Sequence, residues 1–122
     1  MAVRRVSVVS VPVSDQEAAK AFYVDDLGFE LVRDDASVPG LRWVEVRPAG
    51  DGTSLTLVDW FRDTMPAGSL QGLVLALDDL QASCEELVGK GVEFERALEE
   101  RPWGLEAVVR DPDGNRLVLQ QA

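Results

Sequence analysis

Val8-Val9-Ser10-Val11-Pro12-Val13-Ser14-Asp15-Gln16-Glu17 recurs as Gly72-Leu73-Val74-Leu75-Ala76-Leu77-Asp78-Asp79-Leu80-Gln81, 64 positions further along a chain of 122 residues. With one residue dropped, the match resumes as Gly28-Phe29-Glu30-Leu31 against Gly91-Val92-Glu93-Phe94. A repeat of half the chain length means two copies of one supersecondary unit, with a ligand space expected between them.

Each copy spells out the same elements. Residues 6–13 predict a strand and residues 15–26 a helix, opened by Ser14 and Glu17 as a capping box. Asp78 and Gln81 repeat that arrangement before a helix reaching about Lys90. Gly28 and Gly91 offer the permissive backbone at which each helix gives way to a strand. Strands follow near 29–33, 41–47 and 53–60 in the first copy, and near 92–94, 105–110 and 116–120 in the second. Asp111-Pro112-Asp113-Gly114-Asn115 is a tight turn before the last strand. The expectation is an α+β fold, two β-α-β-β-β repeats forming curved mixed sheets around a cavity. Residues 1–122 form a single domain: a first unit over 1–60, an inter-repeat loop over 61–69 marked by Pro66 and Gly68, and a second unit over 70–122.

Alternation assigns sheet faces. Val9, Val11 and Val13 share one face in the first strand, and Leu73, Leu75 and Leu77 do so in the fifth. Leu55 with Leu57, and Leu117 with Leu119, complete a set suited to packing on the helices. The opposite face holds Val8, Ser10, Thr56, Gly72, Val74, Ala76 and Val118. Several of these are poor solvent-facing residues, so that face is expected to line a cavity.

Composition narrows the function. A net charge of −10 disfavours nucleic acid and tolerates a cationic ligand, although acidic surfaces mostly serve solubility. No apolar run approaches the ~20 residues of a membrane span, and Met1-Ala2-Val3-Arg4-Arg5 is unlike a signal peptide, so a cytoplasmic protein is expected. With no histidine there is neither a Ser-His-Asp nor a Cys-His arrangement. The one cysteine, Cys84, falls in a helical stripe with Leu80, Leu87 and Val88 and reads as inert core.

The paired units, Ala21-Phe22-Tyr23 with Leu27-Gly28-Phe29, and Asp111-Pro112-Asp113-Gly114-Asn115-Arg116 together resemble the vicinal oxygen chelate superfamily. That superfamily includes glyoxalase I, extradiol dioxygenases, fosfomycin-resistance enzymes and bleomycin-binding resistance proteins. Its metal-dependent members carry ligands, usually His or Gln, Glu, His and Glu, on four cavity-facing strands. Here the resemblance places those positions on Val8, Gly72, Val118 and a residue at or beside Thr56. None of these is an imidazole, thiolate or carboxylate, so no metal and no cofactor is expected. The nearest functional analogy is metal-independent sequestration of a small molecule, as in bleomycin-type antibiotic resistance. The runner-up is a glyoxalase-like or dioxygenase-like enzyme whose metal site is displaced or absent, and a third reading is a structural subunit without ligand. The resemblance also implies a homodimer.

Aromatic and acidic residues then supply the candidate site. Trp43 and Glu45 alternate away from Val44 and Val46, and Trp60 continues the face of Thr56. Phe61 and Met65 follow in the inter-repeat loop, while Trp103 leads to Glu106. Aromatic walls beside carboxylates suit a planar or cationic organic molecule. For any single tryptophan, core filling is an equal claim; the group is more persuasive. Arg116 flanks the same strands, and an anion clamped there is the alternative.

Overall fold

In the computed structural model, which describes Met1–Ala122, the chain divides into two compact units, Met1–Ala67 and Gly68–Ala122. The first contains β1 (Val8–Pro12), α1 (Gln16–Ala21), a π-helical turn (Phe22–Asp26), β2 (Glu30–Val38), β3 (Leu41–Arg47) and β4 (Ser54–Val58). The second contains β5 (Leu73–Leu77), α2 (Leu80–Gly89), β6 (Glu93–Arg101), β7 (Gly104–Arg110) and β8 (Arg116–Gln121). Their sheets run β1-β4-β3-β2 and β5-β8-β7-β6, with one parallel pair in each, β1 with β4 and β5 with β8. The fold is therefore α+β, built from two repeated β-α-β-β-β units.

Both helices start one residue later than the sequence pattern predicts. The Asp15 carboxylate accepts from the amides of Glu17 (3.0 Å) and Ala18 (3.1 Å), and Asp79 accepts from Ala82 (3.1 Å). Asp15 is still extended, at φ −132° and ψ 103°, so the strand's course carries past Ser14 before the helix begins. The caps remain 64 residues apart. A single helix over 15–26 is also corrected: it loosens into a π-helical turn at Phe22, where the Leu27 amide donates to the Phe22 carbonyl at 3.0 Å. The wider turn lets adjacent Phe22 and Tyr23 both be buried, their rings edge-to-face at 5.1 Å, with Phe29 5.9 Å beyond Tyr23.

Strands β2 and β6 are longer than predicted, nine residues each, because charged residues hide their periodicity and bulges break it. The helix-facing alternation is correct. In the first unit Val11, Val44, Val46, Leu55 and Leu57 are buried together with Ala19, Phe22 and Tyr23. In the second, Leu80, Cys84 and Leu87 of α2 are buried with Ala107, Val109, Leu117 and Leu119. Burial raises the Cys84 thiol's pKa, as fits an inert core residue.

The Asp111–Asn115 turn does more than reverse the chain. One Asp111 carboxylate oxygen accepts from the amides of Asp113 (3.0 Å) and Asn115 (2.9 Å), and the other accepts from the Asn115 side chain (2.8 Å). Asn115 in turn accepts from the Leu70 amide (3.0 Å), and the Arg116 amide donates to the Leu70 carbonyl (2.8 Å). The turn thus anchors the segment that enters β5. Both Asp111 and Asn115 are buried, and their hydrogen bonds offset that burial.

Candidate ligand-binding site

Cross-strand register decides which side chains share a face. Glu45 lies opposite Thr56, and Thr56 opposite Ser10, whose hydroxyl is 3.2 Å from that of Thr56. That face also carries Trp43, and Ser54, Thr56 and Val58 along it are buried. Trp43 donates from its indole nitrogen to Glu45 at 3.0 Å and stacks on Trp60, centroids 6.2 Å apart and planes inclined by 25°. Phe61 follows at 6.0 Å from Trp60, 43% exposed. Met65 donates its amide to the Phe61 carbonyl at 2.7 Å, which folds the segment after β4 into a turn. Trp43, Glu45, Thr56, Trp60, Phe61 and Met65 therefore belong to one neighbourhood in the first unit.

Beside it lies an open depression of about 620 Å³, lined by Gly40, Trp60, Phe61, Thr64, Asp59, Asp63 and Arg62. Arg62 donates from Nε to the Asp59 carbonyl at 2.9 Å. Neither aspartate is among the ligand contacts expected from sequence. Asp59 adjoins Trp60 in the chain, and the folding-back of 61–65 brings Asp63 to the same depression.

The second unit holds a different cluster. Glu106 lies opposite Gln120 and is only 6% exposed. Its carboxylate accepts from the Trp103 indole (3.2 Å) and from Gln120 (3.3 Å). Burial raises its pKa, but those hydrogen bonds and the positive charges of Arg101 and Arg96 outweigh burial and hold it below the usual range. Glu106 is therefore ionised at neutral pH. Trp103 occupies the β6–β7 turn, 62% exposed, with the Arg101 guanidinium 5.1 Å from its ring centroid. Arg116 is committed elsewhere: with Arg110 it pairs with Glu95, its own contact being 2.9 Å.

Sequence reasoning also missed Arg33, whose guanidinium lies 6.0 Å over Trp43. Simple alternation assigns Arg33 to the opposite face, but Leu31 pairs with Val46 and Arg33 with Glu45, so a bulge at Val32 switches its side. Gln120 was legible, since it alternates with Val118.

The metal positions implied by the resemblance are now defined. Thr56 and Val118 occupy equivalent register positions, opposite Ser10 and Val74 respectively, and Val8 and Gly72 keep the 64-residue repeat. An aliphatic, a hydroxyl, a hydrogen and another aliphatic side chain do not make a donor set for Zn²⁺, Ni²⁺ or Fe²⁺, so these residues do not fit such an ion. No three His, Cys, Asp or Glu side chains elsewhere converge as metal ligands.

The family model for the glyoxalase/bleomycin resistance protein/dioxygenase superfamily matches residues 5–119. The chain belongs to that superfamily. It is 51% identical to TnmS3, an antibiotic binding protein from Streptomyces sp. CB03234, whose crystal structure superposes with a TM-score of 0.92 over 99% of this chain and 98% of that one. A superfamily member from Sphaerobacter thermophilus DSM 20745 is 36% identical, with a TM-score of 0.90 over 98% of each chain. YetH of Bacillus subtilis (strain 168) is 30% identical over 98% of this chain and 99% of its own.

Proposed function

We propose that this protein binds a small planar organic molecule, cationic or neutral, and holds it without chemical change, as a metal-independent sequestering protein of the antibiotic-binding kind. The observation that carries the reading is the stacked Trp43–Trp60 pair with Phe61 tilted beside it, an aromatic wall left partly open beside a depression. A rigid indole wall gives a planar ligand contact area at little conformational cost, and stacking adds about 0.5–1.5 kcal/mol beyond the area buried. The likeness to TnmS3 supports the same reading. Trp103 and Glu106 supply a second set of ligand contacts in this proposal, whereas Arg116, paired with Glu95, is left out of it. Its working form is a cytoplasmic homodimer: β1 and β5 are edge strands, and along them Val8 and Val74 are 37% and 51% exposed in the single chain.

A thermal-shift screen of small molecules, followed by tryptophan fluorescence, tests the reading. A ligand at 100 times its Kd adds ~2.7 kcal/mol of stability. True ligands are expected to quench the indoles, and Trp60→Ala to weaken them about tenfold, more than Glu45→Gln does, because stacking area outweighs a screened carboxylate. Hits that leave all three tryptophans unperturbed, or that are uniformly anionic and depend on Arg116, would overturn it.

A further inference from the structure

Two carboxylates beside tryptophans are already engaged. Glu45 accepts the Trp43 indole proton, and Glu106 accepts from both Trp103 and Gln120. A ligand cation approaching either must compete with those hydrogen bonds or share the oxygen. The depression beside Trp60 is different. Its two carboxylates, Asp59 and Asp63, have no cationic partner and no side-chain hydrogen bond, and they flank the exposed Phe61 and the half-buried Trp60. The one cation there, Arg62, has its Nε turned onto the Asp59 backbone carbonyl, and the lining keeps a net negative charge. At about 620 Å³ the depression has room for a fused-ring molecule with a short arm.

We propose that Asp59 and Asp63 are the charge-selecting residues of this protein, receiving the ammonium group of a ligand whose aromatic ring lies on Trp60 and Phe61. The ligand class is thus an aromatic ring carrying an alkylamine that is protonated at neutral pH. Trp60 and Phe61 supply area for ring burial, whereas the aspartates discriminate among ligands of equal ring size. The proposal rests on the binding role proposed above and narrows it from planar molecules in general to cations.

Three probes of one ring size separate the two claims: 2-naphthylmethylammonium, 2-naphthylmethanol and 2-naphthoate, titrated against the full-length protein by tryptophan quenching and calorimetry. The amine is expected to bind about fivefold tighter than the alcohol at low salt, the scale of one solvent-screened charge contact, and the naphthoate weakest. Asp59→Asn with Asp63→Asn should bring the amine down to the affinity of the alcohol and leave the alcohol unchanged. Glu85→Gln with Glu86→Gln, which removes the same charge from the surface of α2, should preserve the amine's advantage; loss of it there would mean that net charge alone sets the preference and would overturn the inference. Equal binding of amine and alcohol by the wild-type protein would also overturn it while leaving the aromatic-binding role standing. Loss of the preference in Glu45→Gln but not in the double aspartate variant would place the cation at Glu45 and refute this site. Failure of all three probes to bind or quench would overturn the inference, and the unbiased screen above would then decide the broader role.

Discussion

At the residue scale, the repeat unit has few tolerances, and Gly68 shows why. It adopts φ +83°, and a Cβ built on it would lie 2.1 Å from the Asp113 carbonyl oxygen. Gly91 has a similar φ of +78° but open space around it. Gly68→Ala therefore combines backbone strain with a backbone clash, in the loop that Asn115 anchors through Leu70. We expect it to destabilise by about 2–4 kcal/mol, against about 1–2 kcal/mol for Gly91→Ala, where only the left-handed conformation is penalised. Urea denaturation of the two variants measures the difference; equal losses would show that the docking of Gly68 on the turn contributes nothing. The sequence marked Gly68 only as a loop residue. Its close approach to Asp113 arises from a contact 45 residues apart and has no local signature.

At the scale of elements, α1 is held over its sheet from outside as well as inside. Arg42 of β3 donates to Asp34 of β2 through Nε and a terminal nitrogen, both at 2.8 Å, and to Glu17 of α1 at 2.9 Å. Lys20 of α1 reaches the same Asp34 at 3.0 Å. The hydrogen bonds from Arg42 and then Lys20 hold the Asp34 carboxyl well below the usual carboxylate range. Because the folded value is depressed, this stabilisation is present above the unfolded pKa and is lost as pH falls through the folded one. Asp34→Asn should destabilise by about 1 kcal/mol at neutral pH and low salt, a magnitude discounted for the partial exposure of the network. The deficit should shrink in 1 M salt and diminish progressively as pH falls below the ~4 of an unfolded aspartate, as protonation of the wild-type carboxyl begins to remove the same charge. A deficit independent of pH would mean that Asp34 acts by packing alone. Beneath the network, Gln16 donates to the carbonyls of Arg42 (2.7 Å) and Leu57 (2.8 Å), satisfying two acceptors across β3 and β4. Neither arrangement was legible beforehand, since both join residues distant in sequence.

At the scale of the whole molecule, the first strand of each unit is an edge strand with an apolar side chain in the open, Val8 on β1 and Val74 on β5. The sequence pattern led us to expect these residues to line an enclosed space. Leaving them in water forfeits roughly 25 cal/mol for each Å² of apolar surface that association would cover. Static light scattering at micromolar concentration should accordingly give about twice the chain mass of 13.3 kDa. Val74→Lys on β5 should shift the population toward monomer, by placing a charge where an apolar contact is expected. A wild-type monomer under those conditions would remove the dimer from the proposed function and leave the Trp43–Trp60 surface untouched.

The sequence by itself determined the repeated β-α-β-β-β plan, the helix-facing set of Val11, Leu55, Leu57, Leu117 and Leu119, and the absence of a donor set at Val8, Thr56, Gly72 and Val118. The first two follow from period and residue type, which are local properties of the chain, and the third from residue type at the positions that the family resemblance implies. Tertiary structure decided the rest. The bulge at Val32 put Arg33 over Trp43, the turn after β4 set Asp63 in the depression beside Trp60, and cross-strand pairing engaged Glu106 with Gln120. A bulge inverts the facing of every later residue, and a loop's course depends on what it packs against. Which carboxylates are engaged and which are free therefore emerges only when strands distant in sequence are laid side by side.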